Sequence, residues 1–166
     1  MSPNRSWTYA ELDDDSNRVA NGLRAAGVGR GDRIACLTRH GAECALLLFA
    51  ASKLGAVLAP LNWRLSGREL AYCIELVSPE LLIVEPDLVA GIPSDGRTGP
   101  VLEIGPAYES ELARQTSNTP PPLAQPEDGL VILYTSGTTG LPKGAVISHR
   151  AMVMRGVLRY VPNWIR

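Results

Sequence analysis

Residues 129–150 read GLVILYTSGTTGLPKGAVISHR, and the order of residue types in this stretch decides how the chain is built. Leu130 to Tyr134 is an apolar run of the kind that makes a buried strand. Thr135-Ser136-Gly137-Thr138-Thr139-Gly140-Leu141-Pro142-Lys143-Gly144 follows, with four hydroxyls, three glycines and one lysine in ten residues. A second strand-like run covers 145–147, and Ser148 is placed to cap a helix beginning near His149. The pattern is strand, glycine and hydroxyl loop, strand, helix.

Such a loop has the chemistry of a phosphate cradle. Gly137, Gly140 and Gly144 permit backbone angles that let successive N–H groups converge on an anion. Thr135, Ser136, Thr138 and Thr139 can each donate a hydroxyl to a phosphate oxygen. Lys143 adds a mobile full charge, and Pro142 stiffens the chain before it. The spacing is not G-x-x-x-x-G-K-[ST], because Lys143 lies between Pro142 and Gly144, so a Walker-type phosphate hydrolase is set aside. A hydroxyl-rich hairpin turn is the plainer alternative, although a two-residue hairpin needs far less glycine.

Working outward, 166 residues with 45% hydrophobic content suit one domain with its own core. The 16 basic and 17 acidic residues leave a net charge of −1, which points away from nucleic acid and from anionic membrane surfaces. Cys36, Cys44 and Cys73 have no metal-ligand spacing and lie in apolar settings, so reduced thiols and a cytoplasmic location are expected. The first residues are polar rather than signal-like, and the most apolar stretch, 45–61, is broken by Ser52, Lys53 and Gly55. No transmembrane segment is expected.

From the start of the chain, Thr8-Tyr9-Ala10-Glu11 has the form of a capping box, and Gly27 stands where the helix it opens would stop. Leu12, Ser16, Val19, Leu23 and Ala26 make one face of that helix, and Asp13 to Asp15 suit its positive end as a solvated first turn. Strands are expected at 33–37, 56–60 and 81–84. Helices are expected over 42–54, apolar nearly all round and enclosed on most sides, and over 67–76 behind a second capping box at Ser66 to Glu69. This alternation predicts an α/β fold with a largely parallel sheet flanked by helices. Between 85 and 128 prolines dominate, leaving loops around a short strand near 101–104 and a short helix near 108–114. His40 reads as a loop residue and His149 as a packing or capping residue. Two histidines so placed assemble neither a Ser/His/Asp set nor a metal centre.

The string Y-T-S-G-T-T-G-L-P-K-G at 134–144 resembles the signature of the adenylate-forming, AMP-binding enzymes, of the acyl-CoA synthetase and ligase kind. Leu61-Asn62-Trp63-Arg64-Leu65, followed by the Glu69-Leu70 helix, is similar to a segment that recurs at this place in that family. The resemblance runs from about Trp7 to Arg150 and covers the first part of the family's pattern; the later adenine-, ribose- and magnesium-binding elements and the mobile C-terminal lysine are not in this sequence.

What the resemblance implies is part of the large N-terminal domain of an adenylate-forming enzyme. Residues 7–84 would be an α/β segment, 85–128 a loop region, 129–150 the phosphate-binding signature with its strands, and 151–166 a helix. The reaction implied has two steps. A carboxylic acid is activated by ATP as an acyl-adenylate, and the acyl group then passes to the thiol of coenzyme A. By the same resemblance Thr135, Ser136, Gly137, Thr138, Thr139, Gly140 and Lys143 bind the phosphates of ATP, with Mg2+ held mostly by residues outside this chain. Catalytic acid or base residues are not assigned, and fatty acids are one substrate class among several. A non-catalytic nucleotide- or partner-binding remnant of the family is the alternative. Self-association through an exposed sheet edge is expected.

Overall fold

The computed structural model describes residues 7–39, 41–93, 98–135 and 141–160. Its first helix, α1 (Tyr9–Ala25), begins at the capping box read from the sequence: Thr8 accepts from the Glu11 N–H, and the Glu11 carboxylate accepts from the Thr8 N–H at 2.8 Å. Strand β1 (Arg33–Leu37), helix α2 (Ala42–Leu54) and strand β2 (Val57–Leu61) follow. Gly55 closes α2 at φ +69°, and a Cβ there would also press on the backbone of Ala124 at 3.1 Å, so glycine is required twice over. The second capping box forms at Ser66 and Glu69 and opens α3 (Gly67–Val77). Strand β3 (Leu81–Val84) and a 3-10 turn (Pro86–Gly91) come next.

The proline-rich region contains strand β4 (Val101–Glu103) and helix α4 (Pro106–Arg114). The helix starts earlier than expected because Pro106 supplies a preset φ in the first turn. Strand β5 (Gly129–Thr135), strand β6 (Lys143–Ser148) and helix α5 (His149–Tyr160) complete the described residues. The Ser148 hydroxyl accepts from the Ala151 N–H at 3.2 Å, as an N-cap should.

The strands form one sheet in the order β4-β3-β1-β2-β5-β6. Every neighbouring pair is parallel except β5 and β6, which run antiparallel as a hairpin. Alternation along the strands splits the core in two. Ile34, Cys36, Leu58 and Ile83 face α1, α2 and α4, whereas Ala35, Leu37, Leu82 and Val84 face α3. The result is the predicted α/β fold, a mostly parallel sheet with helices on both faces. No helix among the described residues is long and apolar enough to cross a membrane.

Helix α2 is enclosed along most of its surface as expected: Leu46, Leu47, Ala50, Ala51 and Leu54 are buried, and only Ala45 and Phe49 of its residues are exposed, Phe49 by 43%. The acidic run of α1, by contrast, is more than a solvated turn. Asp13 accepts from Lys53 Nζ at 2.6 Å, and Asp15 accepts from Trp7 Nε1 at 2.9 Å.

Candidate functional site

Strands β1, β2, β3 and β5 are parallel, so the segments leaving their carboxyl ends all emerge along one edge of the sheet. The connection after β1 turns to the face carrying α2, while those after β2 and β3 turn to the face carrying α3 and the 3-10 turn. Chain connections that part to opposite faces leave a crevice between them, the usual place for a ligand in an open α/β sheet. Here the crevice lies at the end of β1.

Arg39 spans it. Its backbone N–H and Nη1 donate to the two oxygens of Glu85, just past β3, at 2.8 and 2.9 Å. Nη1 also reaches Asp87 at 3.4 Å, and the guanidinium lies 5.7 Å from the ring centre of Trp63, just past β2. Arg64 stacks on the same ring at 4.4 Å. Asn62 accepts the Arg64 N–H at 3.0 Å and so makes the turn that presents Trp63 and Arg64. Asn62 is therefore a turn residue in this structure. Arg39 and Glu85 were not singled out from the sequence, although each comes one or two residues after an apolar strand run, whereas Trp63 lies in the 61–65 segment that carries the second resemblance.

The strand ends that flank the signature loop reach the same edge. Thr135 closes β5 and Lys143 opens β6, and the two are partners across the hairpin. The Thr135 hydroxyl faces the Lys143 carbonyl at 3.5 Å, and both residues are exposed. Ser136, Gly137, Thr138, Thr139 and Gly140 lie outside the described residues, as does His40. The stem is nevertheless informative. The Tyr134 hydroxyl donates to the Cys73 carbonyl at 3.0 Å, fixing the end of β5 to α3. Burial, and then the neighbouring Cys73, push that phenol above its ordinary pKa and keep it a donor.

Gly144 has a different role from the one expected. It pairs with Tyr134 inside the strand, and among the described glycines only Gly27, Gly31, Gly55 and Gly99 have positive φ. A Cβ on Gly144 would meet Ile132 at 3.0 Å, so glycine there serves close packing rather than an anion-binding backbone angle. Beside the stem, a groove of about 340 Å3 is lined by Tyr72, Leu76, Val77, Ile132, Pro142 and Lys143 among others. Among the described residues no group of three or more His, Cys, Asp or Glu side chains could hold a metal ion.

The loop's base is anchored at the opposite edge of the sheet. Asp128, immediately before β5, takes a two-pronged ion pair from Arg30 at 2.7 and 2.8 Å and accepts the Gln125 N–H at 2.8 Å. Its carbonyl accepts the His149 N–H at 3.1 Å, tying the start of α5 to the start of β5. His149 is thus a junction residue, in line with the packing role expected for it.

A family model described as "AMP-binding enzyme" matches residues 1–163. Among curated proteins, an indoleacetate–CoA ligase of Aromatoleum aromaticum is 38% identical over 165 residues, covering 93% of this chain and 32% of its own length. The fatty acid–[acyl-carrier-protein] ligase ScoC of Streptomyces coeruleorubidus is 35% identical over 150 residues, covering 89% of this chain and 29% of its own. Among solved structures, ATP-bound MatB of Rhodopseudomonas palustris superposes with a TM-score of 0.80 at 33% identity, over 92% of this chain and 31% of that one. The inhibitor-bound N-terminal domain of FACL13 from Mycobacterium tuberculosis gives 0.78 at 32% identity, over 86% of this chain and 37% of that one. The chain spans about a third of the length of these relatives. With its signature hairpin at the carboxyl edge of the sheet, it belongs to the AMP-binding enzyme family and is homologous to the N-terminal part of the acid–CoA ligases.

Proposed function

We propose that the chain provides the phosphate-binding part of an ATP-dependent acid–thiol ligase, which activates a carboxylic acid as an acyl-adenylate and transfers it to coenzyme A. The observation that supports this reading most directly is the pairing of Thr135 with Lys143 at the mouth of the hairpin. It puts the two ends of the 135–143 loop side by side at the sheet edge where α/β proteins bind ligands. Thr135, Ser136, Gly137, Thr138, Thr139, Gly140 and Lys143 are proposed to hold the ATP phosphates.

ATP supplies the activating group, an α-phosphate with pyrophosphate as its leaving group. The chain's own contribution is positioning and charge. Lys143 is exposed at the start of β6 and is free to swing toward a polyphosphate. Thr135 holds the near side of the loop, while Tyr134 and Cys73 fix the strand end beneath it. No step is assigned to Mg2+. The ATP-bound MatB structure and the indoleacetate–CoA ligase, both relatives of this chain, support the assignment.

The test is titration of the chain with ATP by calorimetry. Saturable binding is expected, weakened about 10- to 100-fold in Lys143→Ala, as suits loss of one charge-assisted hydrogen bond of roughly 1.5 to 3 kcal/mol. Equal binding by a folded Lys143→Ala variant would remove the assignment. Pyrophosphate release with a panel of acids would separate a catalytic chain from one that only binds.

A further inference from the structure

We propose that Cys36 and Cys44 are a redox-active thiol pair, able to form an intramolecular disulfide that clamps the connection between β1 and α2. Cys36 lies next to the last residue of β1 and is 1% exposed, while Cys44 sits in the first turn of α2 and is half-buried. The Cys36 thiol points at the Cys44 sulfur across 3.9 Å. Bond formation brings two sulfurs to about 2.05 Å. A strand end and a helix start, eight residues apart in sequence, thus already hold their sulfurs in contact. Cys73 is the built-in control, because it packs with α3 on the opposite face of the sheet.

The two thiols differ in access. Cys44 is the one an oxidant can reach; Cys36 is enclosed, and its hydrogen bond to Cys44, with burial second, pushes its pKa well up. The order of events follows. With a disulfide oxidant such as oxidised glutathione, the Cys44 thiolate attacks one glutathione sulfur and releases a glutathione thiolate. Cys36 then attacks the Cys44 sulfur and displaces the second glutathione as its thiol, the Cys36 proton passing to the leaving glutathione sulfur. Two protein thiols are oxidised to one disulfide, and one oxidised glutathione is reduced to two thiols.

The clamped segment, 37–43, carries Arg39, which bridges Glu85 and Trp63 across the crevice at the end of β1. Oxidation would therefore restrain the chain on both sides of Arg39, the residue at the end of β1 that contacts Glu85 and Trp63.

The experiment exposes the whole chain to oxidised glutathione under native conditions, followed by acid quenching, maleimide labelling and peptide mass mapping. The expected result is loss of two labelled thiols out of three, a mass lower by two hydrogens, a peptide joining Cys36 to Cys44, and full reversal by a reductant. Cys36→Ser should instead trap a glutathione adduct on Cys44. Phenylarsine oxide, which needs two neighbouring thiols, should protect Cys36 and Cys44 from maleimide added after unfolding in denaturant, while Cys73, buried in the folded chain, is then labelled. The proposal is overturned if the unsubstituted chain keeps all three thiols, retains glutathione on Cys44, or cross-links through Cys73. The mapping needs no substituted variant, so a folding failure in Cys36→Ser cannot rescue it.

Discussion

Lys53 shows how much a single side chain can organise without being visible in the sequence. Its ammonium donates to Asp13 Oδ1 and Asn17 Oδ1 at 2.6 Å and to Ser16 Oγ at 2.7 Å, and it also reaches the Asp13 carbonyl at 3.2 Å, so its three protons serve four acceptors. The side chain is only 17% exposed, and Ser16 and Asn17 are buried. The lysine therefore staples α2 to α1 through Ser16 and Asn17, which are buried away from water, and through the exposed carboxylate of Asp13. Its partners lie 36 to 40 residues away, and local periodicity cannot see such a separation. In the sequence Ser16 reads only as a position on an apolar face. Lys53→Met is expected to destabilise the fold by about 1 to 3 kcal/mol, the cost of leaving buried acceptors unpaired. The midpoint of urea unfolding, at unchanged m-value, measures it. A midpoint equal to that of the unsubstituted chain would show that the network contributes no net stability. At the site, by contrast, Lys143 is marked out by the glycines and hydroxyls that precede it. Arg39 was missed because nothing in its own neighbourhood distinguishes it from any surface arginine.

Elements were legible where their ends carry their own chemistry. Both S/T-x-x-E boxes form as read, and the glycine at 55 stops α2 where expected. The join between elements was not legible. Asn17, Arg18 and Asn21 of α1 donate to the carbonyls of Gln115, Thr116, Ser117 and Asn118, so a segment read as featureless loop closes the polar side of the first helix. The antiparallel turn of β6 was likewise left open between hairpin and cradle. The structure shows a hairpin whose connection, 136–142, is too long for a simple turn and carries the signature. Asp128 sets this hairpin relative to the rest of the sheet. The Arg30 ion pair, and then the Gln125 N–H, lower its pKa to about 2. That is below the ordinary value of about 3.9 for an unfolded aspartate. The folded state then binds fewer protons than the unfolded one in this window. Its contribution is complete above pH ~4 and is lost as the pH falls toward about 2. Arg30 is half exposed, so solvent screens the pair and the effect is modest. Thermal melts between pH 5 and 2 are expected to show a shallower loss of Tm in Asp128→Asn than in the unsubstituted chain. Parallel curves would mean the acid sensitivity lies elsewhere.

For the whole molecule, the two edges of the sheet are managed differently. Strand β4 has three residues, ends in Glu103 and offers little to pair with. Strand β6 has six, and its centre is Ala145, Val146 and Ile147. Val146 is 63% exposed, and the adjoining α5 leaves Val153 and Leu158 each 64% exposed. Among the described residues β6 presents a long, apolar edge without a partner strand beside an exposed helix face, which is a template for pairing with another strand. The charge of Lys143 guards only the end of the strand, at the mouth of the signature hairpin. We therefore expect the chain to self-associate at concentrations of about 10 μM and above, through β6. Light scattering behind size exclusion should give a mass above that of one chain. Val146→Lys, which puts a charge in the middle of the exposed edge, should return it to a monomer. The substituted side chain points outward, so the core is left intact and a cooperative melt should be retained. A monodisperse monomer for the unsubstituted chain would show that the edge is not sticky enough to pair. An oligomer that persists in Val146→Lys would move the contact from the β6 edge to the face of α5.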